Sequence, residues 1–144
     1  MVNVRDHIDL TVPVDRVFDF MDAPTRQAQI TPSLSESTLL ERLPNGGSRA
    51  RYAYRILGLS FSGEVRATNY VPNERIVWSM TGDLQGTLRW YFEPLDGGCH
   101  FTYAATYQVP GPSLLHPLAR PLIRRYNERE VQALLRNLEA QVTS

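Results

Sequence analysis

Tyr52, Tyr54, Phe61, Trp78, Trp90, Phe92, Phe101, Tyr103 and Tyr107 fall at alternate positions of strand-like runs. Alternate residues of a strand point to the same side of a sheet. The chain must therefore build a sheet with one face crowded by large rings, several of them tipped with OH or NH. A face of that kind either fills a core or lines a cavity for an apolar ligand.

The runs that carry these rings are regular. Val4, Ile8, Leu10 and Val12 alternate with polar residues and predict a half-buried first strand. Pro13 ends it, and Asp15 is expected to cap a short helix, Arg16 to Met21. Asp22-Ala23-Pro24-Thr25 restarts the chain, as an expected second short helix through Gln29. The run from Leu34 to Leu43 has no clear parity. Pro44-Asn45-Gly46-Gly47 is a turn signal. Beyond it, Tyr52, Tyr54 and Ile56 share one face. Phe61, Gly63, Val65, Ala67 and Asn69 share the next, with Tyr70 on the opposite side. Ile76, Trp78 and Met80 follow, then Leu88, Trp90 and Phe92, then Phe101, Tyr103, Ala105 and Tyr107.

One apolar face per strand is the pattern of an antiparallel sheet covered on one side. The cover comes from the C-terminus. Between about 113 and 142, Leu114, Leu118, Leu122, Ile123, Tyr126, Val131, Leu134, Leu135, Leu138 and Val142 recur mostly every three or four residues. That is the stripe of an amphipathic helix, its start bent or delayed by Pro117 and Pro121. The expected architecture is one α+β domain over residues 1–144, a curved antiparallel sheet gripping a long C-terminal helix.

Composition excludes several chemistries. All 15 basic residues are Arg, which rules out a lysine Schiff base or a P-loop lysine. They balance 15 acidic residues, so no net field draws the chain to nucleic acid or to an anionic membrane. Cys99 is the single cysteine, which precludes an internal disulfide or a cysteine metal cluster. No apolar run approaches the ~18–20 residues of a membrane span, and the N-terminus has no apolar signal core. A soluble cytoplasmic protein with no metal and no cofactor is expected, and homodimerisation stays open.

The order strand, two short helices, six meandering strands, long helix resembles the helix-grip fold of the START-like or SRPBCC superfamily. Within it, the polyketide cyclase/dehydrase and lipid-transport branch is the nearest match. "VPVDRVFDFMDAPTRQAQITP" resembles its strand-to-helix opening. "GTLRWYFEPLDGGCHFTYAATYQVPGP" resembles its penultimate hairpin, with "NYVPNERIVWSM" before it and the tail "ALLRNLEAQV" after it. Many relatives carry a Trp shortly before the proline matching Pro32, where this chain has Gln29, Ile30 and Thr31. The resemblance implies a seven-stranded sheet and a hydrophobic ligand between sheet and helix.

Catalytic groups are hard to find in the sequence. His7 and His100 share the parity of the polar faces, as do Glu64 and Glu93, while His116 lies near the start of the last helix. Asp6 points inward at the start of its strand. No paired carboxylates, nucleophile–base set or metal-spaced histidines stand out. Arg49, Arg51 and Arg55 on one strand, and Arg120, Arg124, Arg125 and Arg129 with Glu128 and Glu130 on the helix, read as solvated, salt-bridged faces. Arg124 or Arg125 would be the one to meet an acidic head group.

The expected ligand-binding residues are Tyr52, Tyr54, Phe61, Trp78, Trp90, Tyr103, Tyr107, Leu122 and Tyr126. The sequence favours a non-catalytic binder or carrier of a lipid, isoprenoid/quinone or polyketide-like molecule. One alternative is a polyketide cyclase, aromatase or dehydratase using pocket tyrosines. The other is a protein-interaction or quinone-escort module.

Overall fold

The computed structural model describes residues 2–108 and 120–144. Strand β1 (Val2–Leu10) leads into helices α1 (Val14–Asp22) and α2 (Pro24–Ile30). Six strands follow in a meander: β2 (Leu34–Arg42), β3 (Ser48–Ile56), β4 (Leu59–Val71), β5 (Arg75–Gly82), β6 (Gln85–Leu95) and β7 (Gly98–Gln108). Helix α3 (Arg120–Val142) closes the chain. The part of the expected helix before Arg120, with Leu114, His116, Pro117 and Leu118, lies outside the described residues.

The strands form a seven-stranded sheet in the order β1-β7-β6-β5-β4-β3-β2, and every neighbouring pair is antiparallel. The first strand alone is out of sequence order. It joins the far edge, so α1 and α2 carry the chain from one edge strand to the other. Helix α3 packs against β1, α2 and α1. At 1.5 Å per residue its 23 residues reach about 34 Å. It buries Ile123, Asn127, Val131, Leu134, Leu135, Leu138 and Val142, the continuous face of a 3.6-residue period.

Local sequence explains the joints. Asp15 sits in the first turn of α1 and is not its cap: Pro13 occupies the cap position in extended backbone, with no side-chain hydrogen bond. An acidic residue in that turn still faces the positive end of the helix dipole. Pro24 opens α2 at a position where its missing N–H costs nothing. Leu57 (φ 52) and Gly58 (φ 82) make the two-residue β3–β4 turn, whose left-handed backbone matches the strand twist.

The expected parity of β4 fails at its end. A bulge between Ala67 and Asn69 shifts the register, so Tyr70 pairs with Ile76 and Asn69 with Val77. The extra residue turns Tyr70 inward and leaves Asn69 exposed, bonded to Arg75 Nε at 2.8 Å. The Tyr70 ring meets Phe18 at 5.6 Å, and its hydroxyl donates to Asp22 Oδ2 at 2.9 Å. Two further register shifts in β2, near Leu34 and Leu39, account for the unclear parity of that run.

Candidate functional site

The ring-bearing face divides into two regions. Beneath α1 it is a filled core: Phe18 packs edge-on against Phe92 at 5.0 Å, and Phe92 against Phe101 at 5.2 Å. Towards the middle of the sheet the described residues line two adjoining chambers, each about 40 Å³. Tyr54 and Leu88 line both, and so form the wall between them. Phe61, expected among the ligand contacts, is buried but lines neither chamber.

The outer chamber lies under the first half of α3. Apolar side chains such as Val4, Ile56, Met80 and Leu134 make its floor and sides. Its polar lining comes from Thr31, Ser33, Tyr54, Tyr103, Tyr107, Tyr126, Asn127 and Glu130. Tyr107 donates to Asn127 Oδ1 at 2.5 Å. Tyr126 forms a short hydrogen bond with Ser33 Oγ and donates to the Arg55 carbonyl at 3.3 Å. Glu130 Oε1 accepts the Ser33 backbone N–H at 2.6 Å. Asn137 Nδ2 donates to the Ile30 carbonyl at 3.0 Å. These bonds tie α3 to the α2–β2 link, to the end of β3 and to β7.

Burial is the main influence on the phenols. Loss of solvent pushes the Tyr54, Tyr103 and Tyr107 hydroxyls above the ordinary tyrosine value, and nearby Glu130 pushes the same way. All three therefore remain protonated donors at neutral pH. Among the described residues, neither Tyr54 nor Tyr103 gives its hydroxyl to a protein acceptor.

The inner chamber lies between α2 and strands β3 to β6. Met21, Gln27, Tyr52, Trp78 and Trp90 are among its lining residues. Trp78 and Trp90 pack edge to face at 5.3 Å and 67°. The Tyr52 hydroxyl is fully engaged: it donates towards the Thr81 and Leu84 carbonyls, at 2.8 and 3.2 Å, and accepts the Leu84 N–H at 3.1 Å. It is a structural fastener between β3 and the β5–β6 turn.

The structure thus brings together Tyr52, Tyr54, Trp78, Trp90, Tyr103, Tyr107 and Tyr126 around the chambers. It does not bring Leu122 to them. Leu122 is 62% exposed, because it lies about 100° around the helix from Ile123 and so off the buried stripe. Arg124 and Arg125 are exposed and share a surface depression with Pro121 and Glu128, separate from both chambers. Arg49 bridges Glu41 and Glu64 at 3.4 and 2.9 Å, the salt-bridged outer face expected of it. The His7 and His100 rings lie 5.0 Å apart, tilted by 37°, on that outer side of the sheet, where His100 meets Asp9 at 2.5 Å.

Sequence reasoning misses Asn127, Glu130, Ser33 and Thr31. Its solvated helix face includes Glu130, yet that residue lines the outer chamber. A signal is present in the chain: Ile123, Asn127, Glu130 and Leu134 are spaced four, three and four apart, one helical face. Polar side chains on an apolar stripe mark a site more directly than charges off it.

Comparison with known proteins agrees with this geometry. The family model described as "Polyketide cyclase / dehydrase and lipid transport" matches residues 1–143. No curated protein matches the chain. Among solved structures, TTHA0849 from Thermus thermophilus superposes with a TM-score of 0.86 at 19% identity, covering 98% of this chain and 97% of that one. A START superfamily protein from Mycobacterium smegmatis gives 0.81 at 18% identity, covering 98% and 97%. The Zhui aromatase/cyclase from Streptomyces sp. R1128 gives 0.79 at 17% identity, covering 98% and 93%. At these identities the likeness shows the helix-grip fold alone, and no described helix is long and apolar enough to cross a membrane. With the family model matched almost from end to end on this fold, the chain belongs to the polyketide cyclase/dehydrase and lipid-transport family.

Proposed function

We propose that the protein binds a hydrophobic small molecule between sheet and α3, as a carrier or binding module. The observation that carries this reading is the arrangement of the two chambers. They adjoin through Tyr54 and Leu88, and their polar groups gather at the α3 end. An apolar ligand body would occupy the inner chamber, and a polar group would meet Tyr103, Asn127 and Glu130. Lipids, isoprenoid quinones and polyketide-like molecules share that layout.

The chambers hold only a few waters each at about 40 Å³, whereas ligand pockets span ~300–1,000 Å³. Binding therefore widens the space, by rotation of Tyr54 and Leu88 and displacement of α3. The Glu130–Ser33 and Tyr126–Ser33 bonds are the ones that must yield. An acidic head group leaving the interior along the start of α3 would meet Arg124 or Arg125, and R124A or R125A would then weaken binding.

Native mass spectrometry of freshly purified protein, followed by denaturing extraction, tests the reading. A stoichiometric adduct supports it and identifies the ligand class. A clean apo mass, with no thermal shift from fatty acids, isoprenoid quinones or aromatic polyketides, would sink it.

A second reading, a cyclase or dehydratase, is favoured by one observation. Glu130 shares the outer chamber with Tyr54 and Tyr103, whose phenols burial keeps protonated. A carboxylate base beside a phenol donor is suited to enolising a carbonyl compound. Turnover of a poly-β-keto compound that falls on E130Q and Y103F would support this reading. Absence of turnover by the unaltered protein across a substrate panel counts against it. Y52F is a poor test, since the Tyr52 hydroxyl holds the fold together.

A further inference from the structure

We infer that the inner chamber recognises a neutral carbonyl oxygen, through the indole N–H groups of Trp78 and Trp90. This rests on the reading of the interior as a ligand site. The residues are 4% and 3% exposed, and among the described residues neither Nε1 has a hydrogen-bond partner. A buried donor without an acceptor is costly, so two of them on residues that line one chamber oppose folding unless something else uses them. Their edge-to-face packing rests at most one N–H on the other ring.

Two other polar side chains of the chamber are already committed, whereas Tyr54 and Ser37, which also line it, make no side-chain hydrogen bond among the described residues. Tyr52 is bonded to backbone at Thr81 and Leu84, and Gln27 Nε2 donates to the Met21 carbonyl at 3.0 Å. Indole is a donor only, so the group it takes must be an acceptor. Among the described residues, no charged side chain lines the chamber. A carboxylate or phosphate would be buried there without a counter-charge, which is costly. A ketone, quinone or ester oxygen is what remains. The ring faces and Leu88 supply the apolar wall for the group that carries it.

The test uses 1-tetralone and tetralin, which differ by that one oxygen. Affinities come from calorimetry. The chain has two tryptophans, so two indole N–H signals report on the chamber in a 1H–15N spectrum. The expected result is about tenfold tighter binding of the ketone, the value of one hydrogen bond. At least one indole N–H signal should move downfield with tetralone and not with tetralin. W78F or W90F should lower the ratio of tetralone to tetralin affinity, whatever either change does to the two affinities together; the spectrum of the unaltered protein decides the matter if either variant fails to fold. Equal affinity for the two compounds, or binding that leaves both indole signals in place, overturns the carbonyl assignment alone. Binding of neither compound overturns both the assignment and the ligand-site reading beneath it.

Discussion

The Tyr107 hydroxyl on β7 donates to Asn127 Oδ1 on α3 at 2.5 Å, and Asn127 Nδ2 donates to the Ile123 carbonyl at 3.0 Å. Both side chains are buried. Y107F removes the donor and leaves a buried amide oxygen without one. It should lower stability by about 1–3 kcal/mol in urea unfolding. The double variant Y107F/N127A should cost less than the sum of the two single changes, because the pair acts as one unit. Additive losses would show that the bond carries no coupling.

The grip of α3 depends on which residues fall on its buried stripe. Leu138 is fully buried against the core, and L138A should cost about 2–5 kcal/mol. Leu122, at 62% exposure, should tolerate alanine within about 0.5 kcal/mol. Thermal melts of the two variants measure the contrast. A large loss at Leu122 would place it in contacts that its exposure denies.

Alkali should unfold the protein earlier than the sheet's hydrogen bonding would suggest. Burial pushes the Cys99 thiol from 9.0 up to about 11. Burial, then the Asp22 carboxylate, pushes the Tyr70 hydroxyl from 10.0 up to about 12. Between those limits the unfolded chain has released protons that the folded chain still holds. Stability is thus complete below about pH 9 and falls as pH rises through the folded values. C99A should flatten the fall between about pH 9 and 11, and Y70F the part between about 10 and 12. Urea midpoints measured across pH 8 to 12 check the sign; a rise in stability over that range would refute it.

Most of the fold is legible in the sequence because strand alternation and the helical stripe each follow one period. It is illegible where the period is broken or a residue's type misleads. Nothing in "RATNY" announces the bulge beyond Ala67, so alternation alone puts Tyr70 and Asn69 on each other's faces. Reading the stripe of α3 from its apolar members admits Leu122 and passes over Asn127 and Glu130. Rings also cannot declare from sequence whether they fill space or border it. Trp90 and Phe92 are two residues apart on one face. The first lines a chamber, and the second packs against Phe18. Which occurs depends on whether α1 or α2 lies above, a tertiary fact.

The fastener at Tyr52 rests on a glycine. Gly63 pairs with Tyr52 across β3–β4 and with Gly82 across β4–β5. A Cβ at Gly63 would lie 2.0 Å from the Thr81 carbonyl oxygen and 2.6 Å from the Tyr52 hydroxyl. The first contact is with backbone, which cannot swing aside, and the second displaces the phenol from its bonds to Thr81 and Leu84. G63A should therefore cost at least about 1–3 kcal/mol, the usual range for overpacking, and should loosen the β5–β6 turn that forms one end of the chamber wall. Hydrogen exchange locates the effect. Faster exchange at the Leu84 N–H, whose acceptor is the Tyr52 hydroxyl, is expected in G63A and also in Y52F. In Y52F the ring stays and the acceptor goes, so the change should be confined to the turn. If Leu84 exchanges at the same rate in all three proteins, the Tyr52 hydroxyl is not what holds the turn to β3.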